Sequence, residues 1–193
     1  QQVFASTLSA ELALSRNQPK AALTALSHPS LAHLNELPAD LQARTRSAHA
    51  AAFEADGQTL AAAQERIALA PLLSGEAAAA NNDAIWNLVA ALPPEQLQTG
   101  GSDTLGGWTS LALAVKSAGT LEQQQAAIDT WKAQNPNHPA ALQLPSPLVK
   151  LKSLTSQPLN KIALLLPQEG QLAGVARALR DGFMAAHFQA QQA

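Results

Sequence analysis

The sequence predicts an all-α body of antiparallel helix pairs stacked as a short superhelix, followed by the first strand and helix of an α/β unit. Three observations carry this expectation. Hydrophobic residues make up 47% of the 193, yet only four Phe, three Trp and no Tyr are among them, so the apolar content rests on Ala and Leu, which favour helix over strand. Apolar residues recur at helical spacing in segment after segment, each closed by Pro, Gly or Asn. Near residue 160 a short unbroken apolar run replaces that period.

Phe4, Leu8 and Leu12 recur every four residues and predict a first helix that stops at Asn17-Gln18-Pro19, where Pro opens the next helix at its first position. Ala22, Leu23 and Leu26 mark a short second helix. A polar, proline-punctuated stretch runs from His28 to Pro38, after which Leu41, Ala48, Ala52 and Phe53 define a third helix ending at Asp56-Gly57. Leu60, Ala63 and Ile67 give a fourth, closed near Pro71. Ile85, Val89 and Leu92, with Trp86 beside them, give a fifth that ends before Pro93-Pro94. Trp108, Leu111, Ala112 and Val115 form the clearest stripe, closed by Gly119; Leu121, Ile128 and Trp131 complete a seventh helix, stopped by Asn135-Pro136.

Helices joined by such short turns read as antiparallel pairs too thin to have cores of their own, which share one by stacking. The segments Asn17 to Leu23, Asp56 to Ala62 and Ala118 to Ile128 are loosely similar, but their spacing is not constant, so the repeat is degenerate. The run Trp131-Lys132-Ala133-Gln134-Asn135-Pro136-Asn137-His138-Pro139-Ala140 resembles the end of a tetratricopeptide repeat, in which Asn-Pro closes one helix and another begins.

Residues 1–144 are therefore read as the helical-repeat domain. From 145 to 160 the prolines Pro145, Pro147 and Pro158 forbid a continuous helix, and Val149 and Leu151 alternate with Lys150 and Lys152, so this segment is expected to be an extended linker. In 161–193, the run Ile162 to Leu166 predicts a buried strand bounded by Pro167 and Gly170, and Val175, Leu179, Phe183 and Met184 predict an amphipathic helix after it. One strand cannot make a parallel sheet, so the expectation is a truncated α/β domain.

Several function classes are disfavoured by composition. A net charge of −2, with 12 Lys and Arg scattered singly, gives no positive stripe for a nucleic-acid backbone. The longest apolar runs, such as Ala68 to Leu73, are far short of the roughly 20 residues that span a bilayer. Cysteine is absent, which removes disulfides, thiolate metal sites and a Cys nucleophile. Neither an initiator Met nor a signal peptide opens the chain, so a longer precursor carrying an anchor is expected.

The histidines His28, His33, His49, His138 and His187 include no pair at the i, i+4 spacing of a helical metal site, and His28 and His33 are expected to be exposed loop residues. Gly100-Gly101 and Gly106-Gly107 flank Ser102-Asp103-Thr104, but no strand precedes and no Lys-Ser follows, so a loop with a helix-capping residue is favoured over a phosphate cradle. Pro167 to Gly174 would lie beyond the carboxyl end of a strand, where open α/β sheets bind ligands. Trp86, Trp108 and Trp131 fall on apolar stripes and are expected in the core rather than on a peptide-binding surface. Arg44 and Arg46 face different sides of a helix, so a solvated surface is favoured over a carboxylate grip. No nucleophile elbow, no Ser-x-x-Lys motif and no Glu-Ser dipeptide of a lytic transglycosylase occurs.

The segment Asn160 to Gln171, followed by Arg180-Asp181-Gly182-Phe183-Met184-Ala185-Ala186, is similar to the opening of a type I periplasmic-binding-protein fold and, more narrowly, to that domain in the LppC family of lipoprotein activators. Gly107-Trp108-Thr109-Ser110-Leu111 and Ile128-Asp129-Thr130-Trp131-Lys132 through Pro139 resemble the same family's amino-terminal domain. The resemblance implies a tetratricopeptide-like domain of a lipoprotein tethered to the periplasmic face of the outer membrane, without catalytic, metal or cofactor residues. It implies a class A penicillin-binding protein as partner, met mainly through the α/β domain, with peptidoglycan or other periplasmic proteins as further candidates. No partner-binding residue is carried over. At Gln168-Glu169 the chain departs from sugar- and amino-acid-binding relatives, which argues against a small-molecule role. The alternatives are a peptide-binding adaptor in the periplasm and, behind it, the helical domain of a lytic transglycosylase.

Overall fold

A computed structural model describes residues 1–98, 103–155, 163–167 and 169–191. Among them the secondary structure is all helical: α1 (Gln2–Ser15), α2 (Pro19–Leu26), α3 (Ala39–Ala55), α4 (Thr59–Leu69), α5 (Gly75–Ala91), α6 (Pro94–Leu97), α7 (Thr104–Ser117), α8 (Leu121–Gln134), α9 (Pro139–Leu142), α10 (Ser146–Thr155) and α11 (Ala173–Gln191). Two 3-10 helices, Pro29–Glu36 and Ala70–Leu72, occupy proline-containing stretches between the α-helices. The chain divides into two compact units, residues 1–156 and 157–193.

The first unit is a stack. The helices pair as α1 with α2, α3 with α4 and α7 with α8, and the stack continues through the contacts of α1 with α3, α4 with α5, α5 with α7 and α8 with α10. Its first two turns share one solution. Asn17 and Gly57 both adopt positive φ, 57° and 77°, and in each case the next amide reaches back five residues, Gln18 N to Ala13 O at 2.9 Å and Gln58 N to Phe53 O at 2.8 Å. This is a helix-terminating motif built on a left-handed residue, which Asn and Gly tolerate. The third turn differs. Thr120 caps α8 from its side chain, and Gln123 reaches back to the Thr120 amide, a complete capping box.

Two hydrophobic cores lie in this unit. One, among α1, α2 and α3, is built from Ala10, Ala13, Ala22, Leu26, Ala48 and Ala52. The other runs from α4 to α10 and contains Trp86, Trp108 and Trp131 with Ile85, Val89, Leu111, Ile128 and Leu148. All three tryptophans are in the core, as expected, with Trp108 fully buried.

The first helix forms where predicted, yet it buries a different face. Phe4, Leu8 and Leu12 are 46%, 41% and 51% exposed, while Val3, Thr7, Ala10 and Ala13 are buried. Small side chains let the backbones of neighbouring helices approach closely, and a buried hydroxyl is tolerated when it is hydrogen-bonded. Thr7 Oγ1 donates to Val3 O at 2.8 Å, which leaves the Thr45 hydroxyl of α3 to donate to Thr7 across 2.8 Å.

The expectation of an extended course from residue 145 is also corrected. Ser146 to Thr155 is helical, because Pro147 sits in the first turn, where its missing N–H is an orphan anyway. The amides of Leu148 and Val149 both donate to Pro145 O, Leu148 is buried, and the Ser146 amide is held by Asp83 Oδ1 at 2.7 Å.

In the second unit the amphipathic helix forms as α11. The strand expected over Ile162 to Leu166 does not: Ala163 to Pro167 have no regular secondary structure, and Ile162 lies outside the described residues. A strand is defined by a ladder with a neighbour, and none of the described residues supplies one; Leu165 is 96% exposed.

Candidate functional site

A set of polar groups surrounds the entry to α7. Asp103 caps that helix, accepting from the Gly106 amide at 2.8 Å, so a capping residue does precede the Trp108 helix, as expected. Gly100, Gly101 and Ser102 lie outside the described residues. His138 wedges in beside the cap. Its ring packs edge-on against both Trp108 and Trp131, at centroid distances of 5.5 and 5.1 Å. Its Nδ1 accepts from the Ala140 amide at 3.2 Å, which makes His138 the N-cap of α9. The other nitrogen must then carry the proton, and Nε2 donates to Thr104 O at 2.9 Å. Both nitrogens are satisfied by the neutral ring, and burial pushes the His138 pKa below its ordinary value, opposed by the Thr104 carbonyl.

Gly107 makes this wedge possible. A Cβ there would overlap the His138 ring. Trp131 is anchored in turn by Nε1 donating to Ser110 Oγ at 2.8 Å. The result is a cleft of about 740 Å³ lined by the α7 cap residues, Thr109, Ser110 and the segment Gln134 to Pro139. Its walls are mostly uncharged, with amides and hydroxyls beside one carboxylate. It offers hydrogen-bond donors and acceptors along its walls.

The remaining candidates fall elsewhere. His28 and His33 are exposed, and His28 caps the 3-10 helix by accepting from the Ser30 amide. His49 stacks on Phe53 at 4.4 Å and meets Glu65 at 3.3 Å. His187 lies beside Phe188 in α11. No group of three or more His, Asp or Glu fit to hold a metal occurs among the described residues. Arg44 and Arg46 do point to different sides, yet each grips a carboxylate of this chain. Arg44 meets Glu11 through two bonds, 2.8 and 2.7 Å. Arg46 meets Glu65 at 3.1 Å and Asn35 at 2.8 Å. Burial works against the charged form of Glu65, but His49 and Arg46 together hold its carboxyl below the usual range. In the Pro167 to Gly174 loop, Gln168 lies outside the described residues.

Two features escaped the sequence reading. The His-Pro dipeptides at 28–29 and 138–139 both place a ring nitrogen on the amide two residues on, so His before a helix-opening Pro is a readable cap signal. Asn82, buried within the core face of α5, donates Nδ2 to Gln143 O at 3.3 Å; nothing local in the sequence announces that partner.

A family profile described as "LppC putative lipoprotein" matches residues 1–193. A protein of Dickeya chrysanthemi named penicillin-binding protein activator LpoA is 35% identical over 195 residues, covering 93% of this chain and 28% of its own length. One of the same name from Edwardsiella piscicida is 37% identical, covering 96% of this chain and 27% of its own. The chain thus spans somewhat over a quarter of these relatives. In fold it resembles the LpoA N-terminal domain of Haemophilus influenzae, with a TM-score of 0.70 at 24% identity, covering 82% of this chain and 72% of that one.

Proposed function

The chain belongs to the LppC family, and on that premise we propose that it is the helical scaffold and interaction portion of an activator of a penicillin-binding protein. The enzyme is a class A peptidoglycan synthase, and activation is differential binding: the activator contacts the active conformation more strongly than the inactive one and so raises its population. In this reading the stacked helices do no chemistry. They carry a following α/β domain across the periplasm from a lipid anchor in the outer membrane and set its orientation.

One observation carries the proposal: relatives named as penicillin-binding protein activators align over more than nine-tenths of this chain. The stack is consistent with a positioning role, since three cross-helix ion pairs, Arg44–Glu11, Arg46–Glu65 and Arg66–Glu54, tie its first helices together. The test is to add this chain and the full-length protein separately to the purified synthase and follow glycan polymerisation and peptide cross-linking. Stimulation by the full-length protein alone is expected. Equal stimulation by residues 1–193 would remove the positioning role and make the helical stack itself the activator.

A further inference from the structure

The first two helix pairs repeat in one register. Asn17 and Gly57, the left-handed residues that follow α1 and α3, stand forty residues apart, and the amides after them close on Ala13 O and Phe53 O at that same shift. Pro19 and Thr59 then open α2 and α4. Under the shift Ala10 and Ala22 fall on Ala50 and Ala62, and all four are 0% exposed. The pairs α1–α2 and α3–α4 are therefore two copies of one unit.

That register identifies the face by which a unit meets the unit before it. In the second copy it is the α3 face of Thr45, Ala48 and Ala52. Thr45 is hydrogen-bonded to Thr7 of α1, and Ala48 and Ala52 share one buried cluster with Ala10, Ala13, Ala22 and Leu26 of the first pair. Their counterparts in α1 are Ala5, Leu8 and Leu12. All three are exposed, although two leucines stand where α3 buries two alanines. Phe4 borders this face, with the Arg44 guanidinium 5.5 Å over its ring.

We propose that the Ala5, Leu8 and Leu12 face of α1 is a docking surface for one more antiparallel helix pair of the same polypeptide, encoded ahead of Gln1. The repeat selects this occupant: the equivalent face of the second copy is covered by the helix pair immediately upstream, α1–α2. The fold has room for it. The match covers 72% of the Haemophilus influenzae domain, so more than a quarter of that domain has no counterpart in residues 1–193. The chemistry of the face agrees, since Ala5, Leu8 and Leu12 form an uncharged stripe at helical spacing, which is matched by the apolar side of another helix. This surface stands independently of the activator reading.

Because the 193 residues contain no cysteine, a single introduced thiol reports on the face. Leu8→Cys is made in residues 1–193 and in the full-length protein, and its reaction with a maleimide is followed by peptide mass spectrometry. Labelling at least about tenfold slower in the full-length protein is expected, since the thiol there reacts only when the docked pair opens. Lys20→Cys, exposed on α2 outside the face, should label at the same rate in both. With p-benzoylphenylalanine in place of Leu8, irradiation of the full-length protein should join residue 8 to a peptide ahead of Gln1. Equal labelling of Leu8→Cys in the two chains, equal slowing at Lys20→Cys, or a crosslink to residues after Ala193 or to a second, isotopically marked copy would each overturn the assignment.

Discussion

Gly107 and His138 are a single device made of two residues far apart in sequence. The ring occupies the space a Cβ would need, and from there it caps α9, ties down the Thr104 carbonyl and packs edge-on against two core tryptophans. Gly107→Ala forces the ring out, breaking those contacts together, so a loss of about 2–3 kcal/mol is expected. Urea unfolding followed by tryptophan fluorescence measures it. The same ring makes stability depend on pH in a definite direction. Its folded-state pKa lies below the ordinary 6.5 because burial disfavours the imidazolium. Between the two values the unfolded chain binds a proton that the folded chain refuses, so stability rises with pH across that window. It is full above 6.5 and is lost as the pH falls below it. The Glu65 carboxyl, held below 4.5, loses its contribution only in more acidic solution. Unfolding free energy is therefore expected to be lower at pH 5 than at pH 7, and His138→Gln should flatten that interval. An unchanged slope in the variant would mean that another group titrates there.

At the scale of the helix, packing here is decided by what is small. α1 turns Ala10 and Ala13 toward its neighbours and leaves Phe4, Leu8 and Leu12 outside, so the close approach of alanine faces outweighs the greater apolar area of the other stripe. Ala52→Leu, in the buried cluster with Ala10, Ala13 and Ala48, is expected to cost about 1–3 kcal/mol through overpacking. Leu8→Gln, on the exposed stripe, should change stability by no more than about 0.5 kcal/mol. Thermal unfolding of the two variants separates the faces; a larger effect from Leu8 would restore the stripe to the core. This inversion also explains what the sequence could and could not disclose. The long helices and several of their ends were legible because Pro, Gly and Asn act locally, at Asn17, Gly57 and Asn135-Pro136, whereas the short helices Pro94–Leu97 and Pro139–Leu142 were not. Which face of α1 is inside depends on Thr45, thirty-eight residues away along the chain, and no window of a single helix contains that fact. The helix at Ser146–Thr155 was missed because Pro147 was read as a breaker, whereas in a first turn it is neutral. The His138 wedge needed Gly107 and Thr104, distant partners again, although the His-Pro cap itself was local and readable.

For the stacked-helix unit as a whole, the two cores are unequal, and that inequality predicts how the stack opens. In helical stacks stability is close to a sum over units and their interfaces, so parts with little buried area unfold on their own. The core among α1, α2 and α3 consists of five alanines and Leu26, while that from α4 to α10 buries three tryptophans and several branched aliphatics. With about 0.8 kcal/mol per buried methylene, the first core is much the weaker. α3 is nevertheless tied to α4 by Arg46–Glu65, His49–Glu65 and Arg66–Glu54, and by the fully buried pair Ala62 and Ala63 on the α4 side. The weakest joint is therefore between the α1–α2 pair and the rest, where Arg44–Glu11 is a partly exposed bridge whose worth at the surface is small. Native-state hydrogen exchange should find the amides of α1 and α2 opening at least about 2 kcal/mol below those of α5, α7 and α8, with α3 and α4 between them. Raising the salt concentration should lower the α1–α2 opening energy further while leaving α7 and α8 unchanged. Uniform protection across the stack would contradict this gradient and show that the alanine interfaces couple the helices as tightly as the tryptophan core does.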